Sequence, residues 1–277
     1  MKNVILANSA GFCFGVKRAI DIAEENASLM PVIFGNLVHN PNVINSLKAK
    51  GITNVPVGAK AELEKIHSKN VVVTAHGISD SALNELKKEY NVIDTTCPLV
   101  KAVHILGRKL EAEGYQVVIF GNPKHVETIG TVGNLKNAIV VENIHDAEKL
   151  PHIPRLGLIS QTTSSLRGFA EIAEFLKKKT DDLKVQNTIC YPTKDRQIAA
   201  EQLAKNVDLM IVVGGRISAN TKELHELCNK YTESHWIETA DELKEEWFEG
   251  KENVGVTAGA STPDNDIQAV VQRIRDL

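Results

Sequence analysis

The sequence predicts an α/β protein that uses one structural unit three times. Three cysteines, Cys13, Cys97 and Cys190, lie 84 and 93 residues apart, and a lysine follows each of them four positions later. After each cysteine the chain shows the same order of a helix, an apolar strand that ends in glycine, and a second apolar strand. Strands that alternate with helices favour small, mostly parallel sheets. This recurrence indicates a triplicated α/β unit and a pseudo-threefold arrangement.

The first element of the unit is an amphipathic helix that begins just after the cysteine. Apolar residues between Val16 and Ala23 recur at the three- and four-residue spacing of a buried helix face. Leu203 and Ala204 close a similar pattern after Cys190. Each cysteine is therefore predicted to lie where a loop meets the N-terminus of a helix.

The next element is a buried strand that ends in glycine. Its three copies are residues 31–36, 117–122 and 210–215, and the first two share the pentapeptide Val-Ile-Phe-Gly-Asn. The glycines, Gly35, Gly121 and Gly214, lie 22, 24 and 24 residues after their cysteines. A polar side chain stands four residues beyond each glycine; these are His39, His125 and Ser218.

A second apolar strand in each unit also ends in small or polar residues. The three runs are residues 71–77, 158–163 and 256–261. Ligands gather beyond the carboxyl ends of parallel strands, so the residues at these ends are expected to line one central cleft. The predicted units are residues 1–96, 97–189 and 190–277, with each boundary at or next to a cysteine.

The composition is that of an ordinary globular protein. The chain has 277 residues, 43% hydrophobic and 24% charged, with a formal net charge of −3. This charge gives no reason to expect nucleic acid or a membrane surface as a partner. No apolar run approaches the length of a transmembrane helix, and the first residues lack a signal-peptide pattern. We therefore expect a cytoplasmic protein.

The cysteine spacing narrows the kind of site. In a reducing compartment lone cysteines bind metal, act in catalysis or are inert, and the absence of Cys-x-x-Cys argues against zinc ribbons, thioredoxin-like pairs and ferredoxin clusters. A helix N-terminus and a nearby lysine would lower the thiol pKa and favour thiolate ligation. Three converging thiolates can hold an iron–sulfur cluster by three irons and leave the fourth open. Cys228 lies outside the repeat and is interpreted as structural.

The polar residues at the strand ends suit an anion. His39, His76 and His125 share a register, and with Ser218, Asn220 and Ser261 they would bind a phosphate or diphosphate. Glu127 lies two residues after His125 and is expected opposite the hydroxyls of Thr162 and Thr163. A buried glutamate with such a hydrogen bond would keep its proton near neutral pH and act as an acid.

Taken together, these residues resemble the LytB/IspH family of 4-hydroxy-3-methylbut-2-enyl diphosphate reductases. Nine short motifs in order carry the resemblance along essentially the whole chain: residues 11–16, 38–40, 75–77, 94–98, 125–127, 160–163, 188–190, 218–220 and 259–261. The resemblance implies a trefoil of three α/β units around a [4Fe–4S] cluster. It implies the last step of the methylerythritol phosphate route to isoprenoids, which yields isopentenyl and dimethylallyl diphosphate.

The resemblance also implies roles for single residues. The cluster ligands would be Cys13, Cys97 and Cys190, with the substrate hydroxyl at the open iron. Glu127, with Thr162, would deliver protons. The diphosphate would contact His39, His76, His125, Ser218, Asn220, Ser261 and the main chain of Ala219. Electrons would come from an external low-potential donor of ferredoxin or flavodoxin type.

The chain departs from the family pattern at four positions. Val126 stands where the family usually has proline, Ala219 where serine is common, Pro192 where alanine is typical, and Asn265 at a usually apolar position. None of them removes a predicted ligand or the predicted acid, so they affect fine substrate geometry.

Two other functions would use some of the same residues. An iron–sulfur electron carrier or sensor would need the cysteines but not the histidines, the serines and an acid at the same cleft. A zinc hydrolase with a Cys₃ site would be unusual, because catalytic zinc rarely has mostly thiolate ligands.

Overall fold

The computed structural model describes residues 2–56, 62 and 68–277. Within them the chain forms strands that alternate with helices. The strands are β1 (Asn3–Leu6), β2 (Val32–Phe34), β3 (Thr53–Val55), β4 (Asn70–Val73), β5 (Asn91–Asp94), β6 (Gln116–Phe120), β7 (Ile139–Val141), β8 (Arg155–Ser160), β9 (Asp182–Val185), β10 (Leu209–Val213), β11 (Ser234–Ile237) and β12 (Asn253–Ala258).

The helices mostly connect consecutive strands and include the three that begin directly after a cysteine. They are α1 (Phe14–Glu25), α2 (Pro41–Ala49), α3 (Asp80–Glu89), α4 (Pro98–Ala112), α5 (Val126–Val132), α6 (Ile144–Glu148), α7 (Leu166–Leu176), α8 (Tyr191–Ala204), α9 (Ala219–Cys228) and α10 (Asp264–Arg275). Short 3₁₀ turns at Ala27–Leu29, Ala240–Glu242 and Glu245–Phe248 complete the described helices. No helix in the described ranges is long and apolar enough to cross a membrane.

The strands form three four-stranded sheets, and every pairing in them is parallel. Their orders are β3-β2-β4-β5, β7-β6-β8-β9 and β11-β10-β12-β1. In the first two sheets the strands follow the order second, first, third, fourth along the chain. The last sheet has the same order if β1 counts as its fourth strand. The predicted fold class, α/β with three similar units, is confirmed.

Contacts divide the chain into two compact units. Unit 1 comprises Met1–Val16, His39–Asn45 and Tyr191–Leu277, and it contains the sheet that includes β1. Unit 2 comprises Lys17–Val38 and Ser46–Cys190, and it contains the other two sheets. The predicted boundaries at residues 97 and 190 stay a prediction.

The inner strands are buried on both faces, as parallel strands covered by helices must be. In unit 1, Leu209, Ile211 and Val213 of β10 pack in a core with residues of α10, whereas Met210 and Val212 pack with residues of α8 and α9. In unit 2, the residues of β6 divide in the same way between two cores. This alternation fixes the strand register and therefore the residues that emerge at the carboxyl ends of the strands.

Candidate functional site

The three predicted ligand cysteines occupy equivalent positions in the three sheets. Each follows the fourth strand of its sheet, and its backbone N–H donates to the carbonyl two residues beyond the third strand. These bonds join Cys13 to Ala260 (3.1 Å), Cys97 to Ala75 (3.0 Å) and Cys190 to Thr162 (3.0 Å). The sheet geometry therefore places each cysteine at the carboxyl edge of its own sheet.

The surroundings of these cysteines suit thiolate ligands. Each directly precedes the first residue of a helix, α1, α4 or α8, and each is half-buried and forms no disulfide in the described chain. The Val16 N–H points to the Cys13 sulfur at 3.4 Å. Partial positive charge at a helix N-terminus stabilises negative charge placed there, and cysteine sulfurs are the usual ligands of iron–sulfur clusters. The donor set fits such a cluster.

Cys228 differs in every respect. It is the last residue of α9, its side chain is fully buried in the core, and burial raises the pKa of its thiol to about 12. A thiol with such a pKa stays protonated and inert at neutral pH. This agrees with the structural role expected from the sequence.

In unit 1 the predicted diphosphate residues lie at the ends of β10 and β12. Ser218 is the N-cap of α9, and its hydroxyl accepts from the N–H of Thr221 at 3.3 Å. Ser261, beyond β12, is buried, and its hydroxyl donates to the carbonyl of His39 at 3.4 Å. Gly215, in the turn after β10, packs closely against the same carbonyl. A Cβ added to Gly215 would lie 2.5 Å from the carbonyl oxygen of His39. The structure thus brings His39, Ser218 and Ser261 to one edge of this sheet.

Two further groups in unit 1 bear on anion binding. Asn220 is 4% exposed, and its amide Nδ2 has no hydrogen-bond partner among the residues the structure describes. A buried amide donor without a partner is costly, so this group is suited to a ligand. Burial lowers the pKa of His39, and its imidazole is therefore neutral at pH 7. Ala219, the first residue of α9, offers only its main chain.

In unit 2 the predicted acid and its partner are in direct contact. Glu127, in the first turn of α5, is 2% exposed. One carboxyl oxygen accepts from the backbone N–H of Thr162 at 2.7 Å, and the other accepts from its hydroxyl at 2.9 Å. The carbonyl of Thr162 in turn accepts from the N–H of Cys190. One residue thus connects the acid to a predicted ligand.

The buried position of Glu127 changes its acidity. Burial raises the pKa of this carboxyl to about 7, although the two hydrogen bonds from Thr162 act in the opposite direction. A substantial fraction of the protein therefore carries a neutral, proton-donating Glu127 near neutral pH. The predicted proximity of Glu127 and Thr162 agrees with the geometry, but Thr163 accepts from Gln161 instead (2.8 Å).

The histidines of unit 2 lie beside this acid. The Nδ1 atom of His125 accepts from the backbone N–H of Glu127 at 3.2 Å, which leaves Nε2 as the protonated nitrogen and a donor. The rings of His76 and His125 meet edge to face with their centroids 5.4 Å apart. His76 follows Ala75, whose carbonyl holds Cys97. Within unit 2 the structure therefore brings Glu127, His76 and His125 close to two cysteine loops, the segments that lead from the fourth strand of a sheet to Cys97 or Cys190.

Three buried or half-buried polar residues near these loops were not among the residues predicted from the sequence. Gln161 accepts from the Asn122 N–H and the Thr128 hydroxyl, both at 3.1 Å, and so ties the end of β8 to the start of α5. Arg18 and Arg196 donate to carbonyls in cysteine loops. The arginines had a visible signal, since each lies five or six residues after a cysteine.

The family model described as "LytB protein" matches residues 4–275. The chain belongs to the LytB family. Among curated relatives, the 4-hydroxy-3-methylbut-2-enyl diphosphate reductase of Sulfurovum sp. is 40% identical, with 98% of each chain covered. The protein of the same name from Aquifex aeolicus is also 40% identical, over 100% of this chain and 97% of its own.

Solved structures extend the family relation to the fold. The E-1-hydroxy-2-methyl-but-2-enyl-4-diphosphate reductase of Plasmodium falciparum is 31% identical with a TM-score of 0.90, covering 98% of this chain and 87% of its own. A second structure, titled (E)-4-hydroxy-3-methyl-but-2-enyl diphosphate reductase, the terminal enzyme of the non-mevalonate pathway, is 39% identical with a TM-score of 0.70 over 100% of both chains. This LytB chain therefore has the reductase fold over nearly its full length.

Proposed function

We propose that this LytB chain is a 4-hydroxy-3-methylbut-2-enyl diphosphate reductase, an iron–sulfur oxidoreductase of isoprenoid biosynthesis. It would catalyse the last step of the methylerythritol phosphate pathway. Relatives of that name match it along nearly their whole length. The observation that carries the proposal is the buried Glu127, held through both carboxyl oxygens by Thr162, whose carbonyl anchors Cys190. A proton source built onto a ligand loop is what a reductive dehydration needs.

The proposed cofactor is a [4Fe–4S] cluster with Cys13, Cys97 and Cys190 as its ligands. Their equivalent anchoring at three sheet edges supports a shared role. When bound, the cluster would supply single electrons and, through an iron without a protein ligand, a Lewis acid for the substrate hydroxyl. The electrons would come from an external low-potential carrier of ferredoxin or flavodoxin type, and we place the reaction in the cytoplasm.

The proposed contacts to the substrate are made by polar groups of both units. In unit 1 the diphosphate would be bound by His39, the Ser218 and Ser261 hydroxyls, the Asn220 amide and the main chain of Ala219. In unit 2, His76 and His125 would donate to it, and Thr162 would orient the acid. The unpartnered Nδ2 of Asn220 and the Nε2 donor of His125 support this assignment.

The proposed chemistry uses Glu127 as the acid. The reaction consumes two electrons and two protons, breaks the bond between carbon and the hydroxyl oxygen, and releases water. A neutral Glu127 would protonate the departing oxygen, and Thr162 would stabilise the carboxylate that remains by its N–H and hydroxyl. The second proton reaches either end of the resulting allylic unit, which gives isopentenyl or dimethylallyl diphosphate.

Replacing a single cysteine tests the cluster and the function together. After anaerobic reconstitution, the wild type should be brown, bind about four irons per chain and reduce the substrate with methyl viologen as donor. Cys97→Ser should lose the cluster and the activity, whereas Cys228→Ala, which removes a buried thiol elsewhere, should keep both. A Cys97→Ser protein with full iron and turnover would refute the ligand assignment. A brown wild type that never consumes the substrate would favour an electron carrier.

A further inference from the structure

Two of the three cysteine loops are anchored by a threonine two positions before the cysteine. The Thr95 hydroxyl donates to the carbonyl of Val73, the last residue of β4, at 2.5 Å. The Thr188 hydroxyl donates in the same way to the carbonyl of Ser160, the last residue of β8, at 2.7 Å. Each bond ties a loop to the third strand of its sheet.

The Cys13 loop lacks this anchor because its equivalent residue is Gly11. Gly11 has a φ of +81°, a conformation that threonine rarely adopts. A Cβ there would also lie 2.8 Å from Oδ1 of Asp264 and 3.0 Å from Cδ1 of Ile267. A threonine at this position would be strained, and the Cys13 loop uses a different anchor.

Arg196 provides that anchor from the helix that follows Cys190. It lies in α8 and is 4% exposed. Its Nη2 donates to the carbonyl of Gly11, and its Nη1 donates to the carbonyl of Pro192 at 2.8 Å, one turn earlier in α8. The guanidinium thus connects the Cys13 loop to the first turn of α8.

We propose that Arg196 is a positioning residue that fixes Cys13 for cluster binding, in place of the threonine used by the other two loops. The inference rests on the cluster proposed above. A charge-assisted hydrogen bond holds the loop more strongly than a neutral one. The positive charge of Arg196 is buried against the carbonyl of Gly11, two residues before the proposed ligand Cys13. A positive charge near a cluster favours its more negative, reduced state, so Arg196 raises the reduction potential of the cluster.

Arg18 offers a matched comparison within the same protein. Its Nη1 donates to the carbonyls of Thr95 at 3.2 Å and Thr96 at 3.4 Å, just before Cys97. That loop already has the threonine bond to β4. Loss of Arg18 should therefore loosen its loop much less than loss of Arg196 loosens the Cys13 loop.

The test compares Arg196→Gln, Arg196→Lys and Arg18→Gln with Arg167→Gln, which changes an exposed arginine of α7. In reconstituted protein without substrate, a chelator should bleach Arg196→Gln about tenfold faster than wild type, the factor that one lost charge-assisted hydrogen bond allows. Its midpoint potential should fall. Arg196→Lys should keep the potential but bleach at an intermediate rate. In cluster-free protein, hydrogen exchange at residues 11–13 should speed up only in the Arg196 variants.

The outcomes separate the inference from the proposed function. A folded Arg196→Gln protein with the bleaching rate, potential and exchange of Arg167→Gln would overturn the positioning role while the cluster stands. If Arg196→Gln does not fold, an Arg196→Lys protein that matches wild type in bleaching and exchange would overturn it equally. A wild type that takes up no iron would overturn the cluster assignment itself.

Discussion

Among single residues, the proposed chemistry depends most on where Glu127 lies. Its carboxyl is buried, its pKa is raised to about 7, and both of its carboxyl oxygens accept hydrogen bonds from Thr162. Burial disfavours the charged form, while the Thr162 bonds prevent the pKa from rising further. The balance keeps a proton available near neutral pH and still allows the carboxylate to form.

Glu127→Gln should leave the cluster and substrate binding intact but lower kcat by about 100-fold or more, because glutamine cannot donate a proton to the leaving oxygen. In the wild type, kcat should fall as the pH rises through about 7, since only neutral Glu127 is active. The pH profile of the variant should be flat over this range. Steady-state kinetics with methyl viologen measures both; an unchanged kcat would exclude Glu127 as the acid.

The raised pKa of Glu127 should also make the stability of the cluster-free wild type depend on pH, in contrast to that of Glu127→Gln. Glu127 keeps its proton to about pH 7 when folded and loses it near pH 4.5 when unfolded. Between these values the unfolded state gives up its proton first, so the wild type loses stability as the pH rises, by about 3 kcal/mol in total. Glu127→Gln lacks this loss. Urea unfolding measures the free energy of unfolding of both proteins at pH 5 and pH 8. The value for Glu127→Gln should increase relative to that of the wild type between pH 5 and pH 8. An equal difference at both pH values would contradict the raised pKa of Glu127.

The sequence was sufficient to predict the contact between Glu127 and Thr162 but not the contact between Arg196 and Gly11. Glu127 and Thr162 follow the ends of β6 and β8, and parallel strands bring such positions together, so their contact was predictable. The proposed role of Arg196 depends on the positive φ of Gly11, which would strain a larger residue there, and on the contact of Arg196 with the Gly11 carbonyl. Neither quantity is visible in a pattern of residue types.

At the scale of elements, helix N-termini hold much of the proposed site. His125 caps α5 and Ser218 caps α9, so residues that would contact the substrate also start a helix. Ser165 caps α7 in the same way, through the N–H of Gly168 at 3.2 Å, but has no proposed ligand. Caps of this kind stabilise a protein by about 1 kcal/mol.

Ser218→Ala and Ser165→Ala form a matched pair for this dual role. Each should lower the free energy of unfolding by about 1 kcal/mol, because each removes one helix cap. Only Ser218→Ala should also raise the KM for the substrate, by about tenfold for a lost hydrogen bond to a charged group. Denaturant unfolding and steady-state kinetics give the two readouts. Equal KM values for the pair would remove Ser218 from the diphosphate site.

At the scale of the whole chain, the sheet orders reveal a cyclic shift of the repeat. The fourth strand of the last sheet is β1, at the opposite end of the sequence from β10 and β12. The repeat pattern predicted three units, but four residues at the start of a chain do not indicate which sheet they join. The predicted first unit, residues 1–96, therefore included a strand that pairs with the last one.

Moving residues 2–10 to follow Leu277 through a flexible Gly/Ser linker should preserve the fold, because all three sheets would then share one strand order along the chain. Deleting the same residues should expose the edge of β12 and destabilise the sheet. Circular dichroism melting and iron content after reconstitution compare the two proteins. A rearranged protein no more stable than the deletion would show that β1 needs its native connection to Cys13.

We propose that three thiolates hold a four-iron cluster and leave one iron for the substrate. Mössbauer spectra of the reconstituted protein, recorded with and without 4-hydroxy-3-methylbut-2-enyl diphosphate, distinguish these irons. We expect three irons in similar thiolate surroundings and a fourth whose signal changes when the substrate is added. Four irons that do not respond to the substrate, or zinc in place of iron, would contradict it.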